Sequence, residues 1–167
     1  MSPGDKLTCL VRYNALSRTI ESALQKDSIP TISLDQDQVR INLISGSWDN
    51  DKAPIQSISD VTMTNIYFKE GGKLKTNVDI TRRIFLYVVK GRLTINGKEV
   101  ELHDLVEFLE DGETIEMQAS SDATILFGHA KPNRERIVAR GPFVMNTAQE
   151  IKEAYSEYQQ GKYGELE

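Results

Sequence analysis

LYVVKGRLTINGKEVEL (residues 86–102) is the stretch that decides the fold. It contains short runs rich in β-branched and aromatic residues, and residues that favour tight turns separate them. Asn96-Gly97 is the strongest hairpin signal in the chain, because both residues tolerate the positive φ angles of a type I′ turn. We therefore predict a β-hairpin here, preceded by a sharp corner at Lys90-Gly91.

The same pattern continues on both sides of this hairpin. Gly, Asp, Asn and Pro bound each of the other runs, as expected for strands joined by turns. Many short strands at even spacing predict an antiparallel sandwich or barrel of the jelly-roll type, so the fold class is all-β. The remaining predicted strands are TISL, VRINLIS, MTNIYFK, KLKTNV, RIFLYVV, LVEFL, TIEMQA, TILFGHA and RIVAR.

A helix is predicted at each end of the barrel. ALSRTIESALQ (15–25) has apolar residues at helical spacing, and it follows a predicted strand over 6–13. In the tail, Thr147 and Glu150 match a capping box, and Gly161 ends the helix. The predicted organisation is a single domain: a strand and helix over 1–27, a barrel over 28–146 and a helix over 147–161. The stripe expected to pack the last helix on the barrel is Ile151, Ala154, Tyr155 and Tyr158.

Composition indicates a soluble globular protein of one domain. The chain has 167 residues, 39% of them apolar and 27% charged, with a formal net charge of −5. This charge argues against nucleic acid as the main partner, because phosphate binding needs a concentrated positive surface. We interpret Arg82-Arg83 and the group Arg134, Arg136 and Arg140 as solvated surface runs.

The single cysteine and the first residues favour a cytoplasmic protein. Cys9 lies in an apolar run and is interpreted as a buried, inert thiol. MSPGDK has no apolar core and no small-residue cleavage site, so no secretory signal is predicted. No stretch approaches the length that spans a bilayer, so no membrane partner is expected.

The residues that could carry chemistry are few. The two histidines, His103 and His129, are 26 positions apart. A metal site that combines them with Asp79, Asp104 or Glu107 is one alternative, and surface or turn histidines are the favoured interpretation. Ser120-Ser121-Asp122 is interpreted as a turn and not as part of a nucleophile site. No glycine-rich phosphate loop is present.

The barrel interior offers a second alternative, a small-ligand pocket. Strand alternation places Asn65 and Tyr67 on one face of their strand, and Arg83, Phe85 and Tyr87 on one face of theirs. A mixed aromatic and polar face of this kind is what a small-ligand site needs, although an ordinary barrel mouth contains the same residue types. These five residues are the candidate ligand-binding residues.

GPFVMNTAQEIKEAYSEYQQGKYG (141–164) closely resembles the C-terminal signature of the pirin family. VRINLISG (39–46) and the hairpin over 86–102 are similar to segments of the second pirin domain, and the resemblance covers about residues 28–164. It implies a single cupin domain. The family's metal site, three histidines and a glutamate, belongs to its first domain. The stretch TNVDITRR (76–83), where many cupins carry such ligands, contains no histidine.

The resemblance implies two functions, transcriptional co-regulation and dioxygenase activity on flavonols such as quercetin. We expect a metal-free, non-catalytic cupin without a cofactor, acting as a structural or protein-binding module that could be regulatory. The alternatives are a quercetin 2,3-dioxygenase-like oxygenase with a metal held by His103 and His129, and a small-ligand-binding cupin. Because the second pirin domain normally packs against the first, the expected partner is a second copy or another protein. The expected contact residues are Leu10, Leu16, Ile20 and Leu24.

Overall fold

The computed structural model describes residues 26–55, 57 and 59–163. The predicted strand over 6–13 and helix over 15–25, with Cys9 and the expected contact residues Leu10, Leu16, Ile20 and Leu24, lie outside the described residues. A short 3-10 helix, Lys26–Ser28, precedes the first described strand. Within the described residues, the fourteen strands and one α-helix are β1 Thr31–Leu34, β2 Val39–Ser45, β3 Ser47–Trp48, β4 Asp51–Lys52, β5 Thr62–Phe68, β6 Lys73–Asn77, β7 Arg83–Lys90, β8 Arg92–Ile95, β9 Lys98–Glu101, β10 Leu105–Glu107, β11 Thr114–Ala119, β12 Ala123–Ala130, β13 Val138–Arg140, β14 Phe143–Met145 and α1 Ala148–Gln159.

Two large antiparallel sheets and the two-stranded sheet β3-β4 lie in the described part of the first compact unit, which ends at Pro132. One sheet has six strands in the order β1-β2-β5-β12-β7-β10, and the other has four in the order β6-β11-β8-β9. The non-consecutive neighbours mean that the chain crosses repeatedly between the sheets. This arrangement confirms the predicted all-β, jelly-roll class.

Alternation along the strands places one continuous apolar core between the two sheets. In the six-stranded sheet, Ile41, Ile66 and Leu86 have no exposed surface. Leu74 and Met117 of the four-stranded sheet join the same cluster. Because successive side chains of a strand point to opposite faces, the intervening residues of each strand lie on the outer face of their sheet.

The hairpin predicted at Asn96-Gly97 is confirmed. Both residues have positive φ angles, 45° and 79°, and Ile95 pairs with Lys98 across the turn. Gly91, at the predicted corner, has a φ of 83°, and a Cβ atom there would collide with the backbone of Asp122 and Ala123. Glycine is therefore required at that corner both for its conformation and for its small size.

The described residues from 133 to 163 belong to a second compact unit. The capping box is present: the Glu150 backbone N–H donates to Thr147 Oγ1, and the Thr147 N–H donates to Glu150 Oε2 at 2.7 Å. Gly161 follows the helix with a φ of 71°, as predicted. Of the predicted stripe, Ile151 and Ala154 are buried, whereas the inward placement of Tyr158 was wrong because its side chain is 64% exposed.

The division between the units differs from the barrel boundary that we predicted at residue 146. β13 and β14 pair only with each other, and both contact α1. Because the strands after Pro132 share no ladder with either large sheet, they group with the helix and not with the barrel. The docking of α1 on the barrel stays a prediction.

Candidate functional site

The five candidate ligand-binding residues share one face, but it is not the barrel interior. Asn65, Tyr67, Phe85 and Tyr87 alternate with buried core residues such as Ile66 and Leu86, so they lie on the outer face of the six-stranded sheet. Arg83 lies on the same outer face and forms an ion pair with Glu110. The interior placement was therefore wrong. A ligand-binding role for these residues stays a prediction.

On this outer face, Phe85 covers a gap in the neighbouring strand. Phe85 pairs directly with Gly128 of β12, and a Cβ atom on Gly128 would come within 2.7 Å of the Phe85 ring. The ring occupies the space that a side chain at Gly128 would fill, which is a known way to stabilise glycine within a sheet. Phe85 thus has a structural use that needs no ligand.

Tyr87, on the same face, is paired with the first of the two histidines. The Tyr87 hydroxyl lies 2.9 Å from His103 Nδ1. His103 is exposed, and its φ of 74° places it in the left-handed region that non-glycine residues rarely adopt. Asp104 accepts a hydrogen bond from the Glu101 backbone N–H in the same turn. His103 is therefore a turn histidine, as the favoured interpretation held.

His129 lies on the inner face of β12, at one end of the core. Its ring is 5.8 Å from that of Phe127, edge to face. Arg82 Nε–H donates to His129 Nδ1 at 2.7 Å. Since it is partly buried and held by a guanidinium, His129 is not the surface histidine that the sequence favoured.

Arg82 connects His129 to the loop before β5. One guanidinium nitrogen donates to the Asp60 carboxylate at 2.5 Å, and the other donates to the Asp60 backbone oxygen at 2.5 Å. Only 11% of the Arg82 side chain is exposed, so interpreting it as a solvated surface residue was wrong. Its side chain bridges two segments instead.

The pKa values of this group follow from the same contacts. Burial, with a smaller contribution from the positive charge of Arg82, lowers the pKa of His129 to about 4, while Asp60 opposes the shift. The hydrogen bond from Arg82 holds the pKa of the Asp60 carboxyl below its usual range. The ring is therefore neutral near pH 7, and the guanidinium and carboxylate carry opposite charges.

The neutral ring of His129 is poorly suited to holding a metal ion. Because Arg82 donates to Nδ1, that nitrogen is the acceptor and the ring proton lies on Nε2. A metal ligand needs a free lone pair, and neither nitrogen offers one in this tautomer. The guanidinium beside the ring would also repel a cation.

The structure does not assemble the metal site that combined both histidines with carboxylates. His103 contacts Tyr87 on the outer face, whereas His129 contacts Arg82 on the inner face. Among residues 26–55, 57 and 59–163, no three His, Cys, Asp or Glu side chains are placed to hold one ion. Asp79 instead accepts hydrogen bonds from the Thr81 backbone and hydroxyl, which form the turn before β7.

Apolar side chains fill the barrel interior. Val78, in the stretch where many cupins carry ligands, is 4% exposed, and Ile84 packs against the core. Thr64 is buried in β5, and its hydroxyl donates to the Phe127 backbone oxygen at 3.2 Å. In the part of the chain that the structure describes, no buried side-chain nitrogen or oxygen lacks a hydrogen-bond partner. The fully buried polar side-chain atoms of the described interior are therefore already engaged in hydrogen bonds within the chain.

Sequence reasoning missed Arg82 and Asp60 as partners of His129. A signal for Arg82 was available, because strand alternation extended back from Leu86 and Ile84 puts Arg82 on the inner side. Asp60 had no such signal. It lies 22 positions from Arg82 in a loop, and only the fold brings the two together.

None of the described helices has the length and apolar content that crossing a membrane requires.

The family model for the pirin C-terminal cupin domain matches residues 63–164. A Pseudomonas aeruginosa protein, provisionally named quercetin 2,3-dioxygenase, is 31% identical over 74% of this chain and 46% of its own length. A pirin-like protein of Caulobacter vibrioides is 28% identical over 83% of this chain and 50% of its own. The crystal structure of quercetin 2,3-dioxygenase from Acinetobacter baumannii superposes with a TM-score of 0.81 at 26% identity, covering 87% of this chain and 51% of that one. The chain thus spans about half the length of the relatives it matches.

Proposed function

Because the chain belongs to the pirin family of cupins, we propose that its barrel serves as a protein-binding module and not as a metal-dependent oxygenase. The observation that carries the proposal is the environment of His129, the histidine on the inner face. Arg82 occupies its acceptor nitrogen, and apolar side chains such as Val78 and Ile84 fill the adjoining interior.

A quercetin 2,3-dioxygenase is the rival function, and the names of two similar proteins favour it. Oxygenase chemistry of this kind needs a redox metal with an open coordination position. The described residues of this barrel do not fit such a metal.

Elemental analysis distinguishes the two functions. We expect purified protein from iron- and manganese-supplemented medium to carry far less than one transition-metal ion per chain, and to consume no oxygen with quercetin. Two results together would overturn the proposal: nearly one metal ion per chain, lost when His103 and His129 are both replaced by alanine, and chelator-sensitive oxygen uptake with quercetin.

A further inference from the structure

Three exposed leucines lie in and next to the edge strand of the six-stranded sheet. We name residues 102–113, which comprise the edge strand β10 and the segments on either side of it, the leucine edge. Leu102, Leu105 and Leu109 are 50%, 61% and 80% exposed, and among the described residues they are the three most exposed large apolar side chains of the first unit. Exposed apolar side chains grouped in this way are typical of interaction surfaces.

An aromatic residue and a hollow adjoin these leucines. Leu105 pairs directly with Tyr87 across the ladder, so the two side chains lie side by side on the outer face. Leu102 also lines a surface hollow of about 520 Å³, whose other lining residues are Gly91, Arg92, Glu101, Ser120 and Ser121. Tyrosine is a common anchor residue in protein interfaces.

The charge of the leucine edge has one sign. Its twelve residues include five acidic ones and no lysine or arginine. Arg83 neutralises Glu110, whereas Glu107, Asp111 and Glu113 are exposed and form no ion pair with any described residue. An acidic surface of this kind attracts basic partners and disfavours nucleic acids and acidic proteins.

The edge strand itself argues against simple strand addition. β10 has only three residues and carries Glu107, both features that protect sheet edges from pairing with other chains. Binding would then come from side chains, with leucines supplying apolar area and carboxylates selecting the partner.

We propose that the leucine edge is the docking surface for another protein that presents a basic segment bearing apolar side chains. This inference rests on the proposed protein-binding function and names its surface and the chemistry of its partner. The leucines and Tyr87 contact the apolar side chains, and Glu107, Asp111 and Glu113 face the cationic ones.

The test uses the full chain and a fluorescent synthetic amphipathic peptide built from leucine and lysine. We expect saturable binding that weakens at high salt, as opposite charges require. Replacing both Leu105 and Leu109 by serine should weaken binding about tenfold or more, because anchor residues dominate interface affinity. The matched control is Ile80→Ser, which removes an apolar side chain that is 41% exposed elsewhere in the same unit.

A second pair of variants tests the charges. Glu107→Gln together with Glu113→Gln should weaken binding and reduce its salt dependence, whereas Glu70→Gln, at an exposed glutamate away from the edge, should do neither. A peptide with serine in place of leucine should bind much more weakly to the native chain.

Equal binding of the peptide to the native chain and to the Leu105/Leu109 variant would overturn the inference, since it would indicate non-specific attraction. Sedimentation of the protein alone gives the other decisive result. A dimer that dissociates when Leu105 and Leu109 are replaced would assign the surface to a second copy instead. Both measurements are independent of metal content. They can therefore contradict the docking surface without contradicting the proposed function, which elemental analysis and oxygen uptake test.

Discussion

At the scale of single residues, Gly128 and Phe85 show how one position constrains its neighbour. Gly128 is buried in a central strand, where a glycine would ordinarily weaken the sheet, and the Phe85 ring lies over it. The Thr62 backbone oxygen closes the same space from the next strand, 3.2 Å from where a Cβ atom would lie. The pair is therefore packed from both sides.

We predict that Gly128→Ala lowers the free energy of unfolding by about 1–3 kcal/mol, because the added methyl group overpacks the site. Urea denaturation measures the change. In a Phe85→Leu background the loss should be smaller, since the ring no longer opposes the methyl group. Gly112→Ala is the control, because no atom lies within 4 Å of the corresponding Cβ position. Equal effects at the two glycines would contradict the packing argument.

His129 links the stability of the barrel to pH. Its pKa is lowered to about 4 in the folded chain, whereas an unfolded histidine titrates near 6.5. Between these values the unfolded chain binds a proton that the folded chain does not, so stability falls as the pH falls through this window. The charged groups that shift the pKa of His129 are Arg82 and Asp60, and the charges of Arg82 and Lys131 act in turn on Asp60.

We predict that the free energy of unfolding falls by at most about 3 kcal/mol between about pH 7 and about pH 4.5 through this group. His129→Asn should reduce that fall, because asparagine can still accept from Arg82 but does not titrate. His103→Asn, at the exposed turn histidine, should leave the fall unchanged. Urea denaturation at both pH values measures the free energy of unfolding of the native chain and the two variants. An identical pH dependence in all three would refute the role of His129.

At the scale of elements, α1 is defined at both ends by hydrogen bonds from nearby residues. Glu150 Oε2 accepts from the Asn146 and Thr147 backbone N–H groups at 3.0 and 2.7 Å. After the helix, the Gly161 and Lys162 N–H groups donate to the Tyr158 and Glu157 oxygens, the pattern of a Schellman motif. Between these ends, Phe143 of β14 packs its ring 4.8 Å from that of Tyr155.

We predict that Thr147→Ala destabilises α1 by about 1 kcal/mol, because the first turn loses its side-chain acceptor. Faster amide hydrogen exchange over residues 148–152 would report the loss. Thr147→Ser retains the hydroxyl and should restore near-native exchange. Unchanged exchange in the alanine variant would show that packing against β13 and β14, and not the cap, sets the stability of the helix.

At the scale of the whole molecule, a single apolar core joins both large sheets, and the helix belongs to the second compact unit. Ile151 is 2% exposed and Ala154 is 3% exposed, so α1 has one buried face. The most exposed apolar side chains of the barrel unit lie instead along the leucine edge.

We predict that deleting residues 147–167 lowers the free energy of unfolding of the barrel by several kcal/mol, because each large apolar side chain that is buried contributes about 1.5–3 kcal/mol. Thermal melting followed by Trp48 fluorescence reports on the barrel, since Trp48 lies in its core. Tyr158→Ser, at an exposed position of α1, is the control. An unchanged melting temperature after deletion would show that the helix stabilises only the β13-β14 pair and not the barrel.

Local patterns in the sequence were enough to predict most of the strands, the Asn96-Gly97 hairpin and the capping box at Thr147, whereas the short strands β3, β4 and β14 were not predicted. Each depends on residues only a few positions apart, whose turn and strand preferences act locally. The family resemblance of the tail was equally visible, and it agrees with the family match over residues 63–164.

Tertiary structure decided which distant residues meet, and it placed the candidate ligand-binding residues of β5 and β7 on the outer face. Asn65 and Phe85 fitted the alternation of either face, and only the pairing of β5, β12 and β7 put them outside. Arg82 lies 22 positions from Asp60 and 47 from His129, so their contacts depend on where the crossings place three separate segments. The side-chain alternation of a strand repeats every two residues and does not predict which distant segments come into contact. Long-range pairing is set by how the whole core packs.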